Sequence, residues 1–197
     1  MTAIFSIILL VEVNEKETIS YITGDIMESE QFHAPVVCFV GRKNSGKTTL
    51  MEKIILGLKA AGHRVAAVKH DAHNFEIDYP GKDSFRFSAA GADTTVISSL
   101  RKTGVVLHHP EGMSLESILK RFVTGVDIVL LEGYKTSRFP KIEVHRKANG
   151  EPLLHPAPHG LIAVATDEPV DAAVPRFDIH DFDSLLEFII EKFLGQP

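Results

Sequence analysis

Gly41-Arg42-Lys43-Asn44-Ser45-Gly46-Lys47-Thr48 fills every specified position of the pattern G-x-x-x-x-G-K-[ST]. Just before it runs Val36-Val37-Cys38-Phe39-Val40, an apolar stretch rich in β-branched residues and bounded by Pro35 and Gly41. That composition predicts a strand. After it, from Thr48 to Ala61, apolar Leu50, Ile54, Ile55, Leu58 and Ala61 recur at helical spacing. Strand, glycine loop and helix form the context in which the pattern marks a phosphate-binding loop.

The residue types follow from what a phosphate needs. Glycine lets consecutive N–H groups turn inward around an anion where a Cβ would clash. A helix opening near Gly46 aims unsatisfied N–H groups and its positive dipole end at the same charge. Gly41, Lys43, Asn44, Ser45, Gly46 and Thr49 are thus assigned to cradling the phosphates. Lys47 is assigned to the β- and γ-phosphates and Thr48 to Mg²⁺.

Length and composition bound the rest. A chain of 197 residues is most simply one domain with a buried core. Charged residues at 24% and hydrophobic ones at 44% describe a globular protein and exclude a disordered one. A net charge of −5 gives no electrostatic reason to expect nucleic acid as a partner. Cys38 is the single cysteine, so no intrachain disulfide or thiolate cluster can form, which fits a reducing cytoplasm. The apolar run Ile4–Val13 falls short of the roughly 20 residues a membrane-spanning helix requires, and it lacks the flanks of a signal peptide. Residues 1–34 read as an N-terminal appendage to a domain over 35–197, with a hairpin (Ile4–Val13 and Thr18–Ile22) as the alternative.

From Pro35 onward, strands and helices alternate. Arg64–Lys69, Asp127–Leu131 and Leu161–Ala165 read as apolar strands, and Lys141–His145 alternates like an edge strand. Asp93–Ser98 and Thr103–His108 are two further β-like runs. Helices are expected at Lys82–Ala92, after a Ser114 cap, and at Leu185–Leu194. The pattern predicts an α/β fold, a three-layer phosphate-loop domain with a mainly parallel sheet covered by helices on both faces.

A phosphate loop needs carboxylates for the metal, and these stand at the ends of neighbouring strands. Glu132 ends the apolar run Asp127–Leu131 and is followed by Gly133, so it takes the Walker-B place. Asp71, just past Val68-Lys69-His70, is the second candidate. Both are assigned to catalysis and, with Thr48, to the metal. Between Asp71 and Gly91 lies a polar segment holding His73, Asp78, Gly81, Lys82, Asp83, Ser84 and Arg86. It reads as a loop that orders when the γ-phosphate and Mg²⁺ arrive. His70 and His73 lack a third ligand at zinc spacing.

Four segments then carry a resemblance: 41–53 (GRKNSGKTTLMEK), 65–78 (VAAVKHDAHNFEID), 81–92 (GKDSFRFSAAGA) and 127–135 (DIVLLEGYK). Together they resemble the molybdopterin-guanine dinucleotide biosynthesis B proteins, the MobB family. The resemblance implies a cytoplasmic, homodimeric GTP-binding protein that depends on Mg²⁺ and hydrolyses GTP weakly. It also implies support for a partner guanylyltransferase, MobA, in molybdenum cofactor assembly. The chain lacks the N-K-x-D guanine signature of ordinary GTPases. Asp167, after Ala165-Thr166, is the candidate carboxylate for guanine, with a loop-capping role as the alternative. A small-molecule kinase is the first competing reading. Arg86, Arg138 and Arg146 are scattered in sequence and form no clustered lid, which counts against it. An ATP-driven assembly protein is the second, separable by base preference.

Overall fold

A computed structural model describes residues 32–71, 75, 77–109, 111–154 and 157–195. The chain divides into two compact units, Met1–Glu30 and Gln31–Pro197, and all described residues lie in the second. The expected appendage or hairpin within residues 1–31 lies outside the described residues.

The element order is β1 (Val36–Val40), α1 (Lys47–Ala60), β2 (Val65–Lys69), α2 (Asp83–Ala89), β3 (Thr94–Ser99), β4 (Lys102–Leu107), α3 (Leu115–Phe122), β5 (Ile128–Glu132), β6 (Lys141–Val144), a 3₁₀ turn at Lys147–Asn149, β7 (Leu161–Thr166), β8 (Arg176–Asp178) and α4 (Phe182–Phe193). Six strands form one parallel sheet in the order β2-β5-β1-β6-β7-β8. Strand β1 is buried along its whole length because it runs between two neighbours and beneath helices on both faces. On one face, Val37, Phe39, Leu130, Ile142 and Ala163 pack with Ile54 and Leu58 of α1 and Leu185 and Ile189 of α4. On the other, Val36, Cys38, Val40, Val129 and Leu131 meet Leu115 and Leu119 of α3. Helix α3 starts where Ser114 Oγ accepts the Ser117 N–H at 3.1 Å, the expected cap. The three-layer parallel architecture agrees with the sequence expectation.

Three local differences are informative. The expected edge strand, β6, sits between β1 and β7 and is buried at every residue. Its alternating polar residues resemble a solvated face, but their polar atoms are satisfied internally. Lys141 Nζ donates to the carbonyls of Ser137, Phe139 and His159, and Glu143 Oε1 accepts the Leu154 N–H at 2.7 Å. The two β-like runs around Arg101-Lys102 pair only with each other, as the antiparallel hairpin β3–β4. Strand β8, only three residues long, gave no periodic signal.

The fully buried Lys141 yields the first test. In Lys141→Met, three carbonyls lose the ammonium they share, and buried acceptors without donors are costly. Urea unfolding should show a loss of about 3 kcal/mol. A loss below about 1 kcal/mol, the size of an ordinary substitution, would mean these carbonyls find other donors.

Candidate functional site

The loop from Gly41 to Gly46 joins β1 to α1 at the carboxyl edge of the sheet. Gly41 has φ 152°, and a Cβ there would lie 2.3 Å from the Val144 carbonyl oxygen and 2.8 Å from Ser45 Oγ. The first is backbone of β6 and cannot yield. Gly46, at φ 86°, caps α1, and Asn44 holds a left-handed φ of 62°. Ser45 is buried, while Lys43, Asn44, Thr48 and Thr49 are exposed on the loop and the first turn of the helix. The structure thus gathers every sequence-assigned phosphate residue into one turn at a helix N-terminus.

Lys47 Nζ donates to the Arg42 carbonyl at 2.7 Å and lies 3.5 Å from Ser45 Oγ. Burial depresses its pKa most; Glu132 opposes that, and Lys135 and Lys69 add to it. Glu132, the last residue of β5, accepts from Thr48 Oγ1 at 2.9 Å through Oε2. Its Oε1 is 3.8 Å from Lys69 Nζ. The register explains the convergence: Phe39 and Lys69 both align with Glu132. Sequence reasoning missed Lys69 and Lys135. Reading β2 to its last residue beside Glu132 would have found Lys69.

The turn after Glu132 is unusual. Gly133 (φ 88°) and Tyr134 (φ 51°) are both left-handed, a conformation a tyrosine adopts at some cost. The Gly133 N–H is held by the Phe39 carbonyl at 2.9 Å, and the His70 N–H by the Glu132 carbonyl at 3.0 Å. The rings of His70 and Tyr134 meet at 4.9 Å between centroids. Asp71, exposed just beyond His70, is therefore carried to the edge where Glu132 stands. His73 lies outside the described residues, and these hold no group of three potential metal ligands.

On the other flank, Asp167 follows β7. Its Oδ1 accepts the Lys147 N–H at 2.7 Å, and Oδ2 is 3.8 Å from Arg146 Nε. The backbone hydrogen bond is the main reason its pKa is lowered. Asn149 Nδ2 donates to the Lys43 carbonyl at 3.3 Å, tying the 3₁₀ turn to the phosphate loop. Arg146 is distant in sequence yet lies against the loop: its Cδ and Nε are 3.9 Å from where a Gly46 Cβ would stand. Arg146 thus departs from the scatter read in sequence.

A phosphate loop with a threonine–carboxylate contact, at the edge of a parallel sheet, defines a phosphate-loop α/β protein. The family model for molybdopterin guanine dinucleotide synthesis protein B, MobB, matches residues 36–167. The molybdopterin-guanine dinucleotide biosynthesis adapter protein of Escherichia coli (strain K12) is 34% identical over 161 residues, covering 80% of this chain and 92% of that protein. Its counterpart in Haemophilus influenzae is 35% identical over 156 residues, covering 79% and 87%. Among solved structures, MobB of Bacillus subtilis superposes with a TM-score of 0.66 at 27% identity, over 82% of this chain and 99% of that one. A MobB homolog from Bacillus stearothermophilus gives 0.62 at 28% identity, over 82% and 99%. The chain belongs to the MobB family.

The loop geometry ranks two glycines. Gly41→Ala forces a Cβ into backbone, whereas at Gly46 only the side chains of Ile179 and Arg146 approach, at 3.8 and 3.9 Å. Gly46→Ala then costs only the left-handed penalty, about 1–2 kcal/mol. Gly41→Ala should lower the melting temperature by more than Gly46→Ala does. Thermal unfolding of the two variants side by side checks the order; equal or reversed shifts would show that the loop relaxes away from β6.

Proposed function

We propose that this chain is a Mg²⁺-dependent GTP-binding protein with slow hydrolysis, acting in the cytoplasm as an adapter for a MobA-like guanylyltransferase in molybdopterin guanine dinucleotide synthesis. The observation that carries the nucleotide reading is the Thr48–Glu132 contact at the foot of the glycine loop. The residues fit the groups invoked. Gly41 leaves backbone where a side chain would fill the cradle, and Gly46 opens the helix. Lys47 supplies a half-buried ammonium to the phosphates, and Thr48 and Glu132 supply hard oxygen donors for a magnesium ion, with Asp71 at the same edge. Bound magnesium supplies charge neutralisation on the phosphates. Asp167, which accepts the Lys147 N–H and lies 3.8 Å from Arg146 Nε, is our candidate carboxylate for the guanine base.

The adapter part rests on the relatives, which are named for that role. A homodimer is supported by the hairpin β3–β4, which leaves Val96, Ile97, Leu100 and Val105 exposed. Such a two-stranded ribbon lacks a third strand among the described residues and exposes apolar side chains that a second copy would cover. Among the described residues, no helix is long and apolar enough to cross a membrane. The kinase and ATP-driven readings remain separable by experiment. Competition of GTP against ATP decides the base, and incubation with small acceptors decides phosphoryl transfer.

Three outcomes test the reading. Lys47→Ala should weaken GTP binding by about 30-fold or more, ~2 kcal/mol for a charge-assisted contact, with the fold intact. Unchanged affinity in calorimetry on the folded variant would sink the phosphate-loop assignment. Glu132→Gln keeps the shape but loses the charge, so turnover should fall further than affinity; equal losses would make Glu132 structural. GTP turnover by the protein alone should stay well below the ~10 s⁻¹ median of dedicated enzymes. Rapid turnover without guanylyltransferase and molybdopterin would defeat the adapter reading.

A further inference from the structure

Lys69 is the last residue of β2, and the strand register sets it against Glu132, the last residue of β5. The backbone beside it is pinned, since the His70 N–H donates to the Glu132 carbonyl at 3.0 Å. Only the side chain is left to choose a direction. Its Nζ lies 3.8 Å from Glu132 Oε1, while Glu132 Oε2 accepts from Thr48 Oγ1 at 2.9 Å. One carboxylate therefore joins the hydroxyl at the start of α1 to an ammonium on the outermost strand of the sheet. The Glu132 side chain is 13% exposed and that of Lys69 60%, so the carboxylate is enclosed while the ammonium reaches solvent. Lys69 is also near enough to Lys47 to add to burial, the largest cause, in lowering the Lys47 pKa.

The two contacts of Glu132 answer differently to a metal. A divalent cation held by the Thr48 hydroxyl and Glu132 takes up carboxylate charge that Lys69 otherwise shares. An ion pair this long, with one partner mostly exposed, is weak and yields. The lysine ammonium is a compact charge with three donors on a flexible four-carbon stem, free to turn to another anion. In a phosphate-loop site the metal bridges β- and γ-oxygens. A cation that shares the metal's carboxylate thus neighbours the terminal phosphate group and not the α-group. Lys47 is different, because it is tied to the loop itself through the Arg42 carbonyl at 2.7 Å. Lys135 is different again, exposed on the turn past Tyr134 and beyond the end of β5.

Resting on the nucleotide reading above, we propose that Lys69 reads the γ-phosphate: with magnesium on Thr48 and Glu132, its ammonium leaves Glu132 for the terminal phosphate group, and the site thereby tells a nucleoside triphosphate from a diphosphate. With a diphosphate, Lys69 has no terminal group to meet and stays beside Glu132. Discrimination is then a difference between two affinities, and a single side chain carries it.

Calorimetry on the full chain, with magnesium and either GDP or a non-hydrolysable GTP analogue, provides the test. Lys69→Met keeps the aliphatic stem and removes the charge. It should weaken the triphosphate analogue by about tenfold or more, as loss of a charge-assisted contact does, and change GDP affinity by less than about threefold. Lys135→Met should weaken both nucleotides alike. Without nucleotide, the melting temperature of Lys69→Met should stay within about 3 °C of the parent, since an exposed ion pair contributes little. A parent protein that binds both nucleotides alike, an equal loss of both in Lys69→Met, no loss of either, or a triphosphate-selective loss in Lys135→Met instead would overturn the assignment. The two readings fail separately. Lys47→Ala that keeps its affinity for both nucleotides defeats the phosphate loop, whereas Lys69→Met that keeps the parent's selectivity defeats only the role of Lys69.

Discussion

The approach of Gly41 to the Val144 carbonyl oxygen is the constraint from which the site follows. Strand β1 is enclosed by β5 and β6, so the chain leaving it must turn beside the β6 backbone with no side chain between. Only glycine permits that approach. Once the chain has turned, Gly46 in the left-handed region starts α1, and Leu50 N–H closes the first helical turn on its carbonyl at 2.9 Å. The helix then packs Ile54 and Leu58 into the core, which fixes Lys47 and Thr48 above the sheet edge. Thr48 reaches Glu132 because β1 and β5 are in parallel register at Phe39 and Glu132. Packing sets the geometry, and the chemistry inherits it.

The electrostatics of the edge point the same way. Lys69 and Lys135 both act on Lys47, opposed by the carboxylate of Glu132, which also lies 3.8 Å from Lys69 Nζ. Burial and cationic neighbours both disfavour the charged form of Lys47, so this arrangement opposes itself unless an anion balances it. An anion placed beside Lys47 would favour its charged form and offset both effects. Surface lysines would contribute little to such binding, but here one ammonium is half buried and held by the Arg42 carbonyl, with less freedom left to lose.

What the sequence made legible follows the same physics. Strands β1, β5 and β7 are near-continuous apolar runs because a parallel sheet is covered on both faces, and the glycine loop is a pattern with a steric cause. Glu132 could be placed from its position at the end of an apolar strand. Strand β6 misled because alternation reports polarity and not exposure: Lys141 and Glu143 are polar, buried and satisfied by carbonyls and an N–H from other segments. Partners 11 and 18 residues away leave no local trace. Arg146 and Lys69 were hidden for a related reason, since strand order brings one to the loop at Gly46 and the other to Glu132, and the sequence does not print it. The His145–Glu168 pair spans 23 residues and two strands, and neither residue stands in a recognisable motif.

Strand order also assigns labour around β1. On one side β5 and β2 bring carboxylate and lysines; on the other β6 and β7 bring Arg146, Asp167 and the His145–Glu168 pair. Both groups stand at the carboxyl edge of one parallel sheet, where crossovers diverge from a central strand. The hairpin stands outside this arrangement, in its own sheet. It meets the rest of the domain at α2, whose Ser88 Oγ lies 3.1 Å from Thr95 Oγ1 of β3.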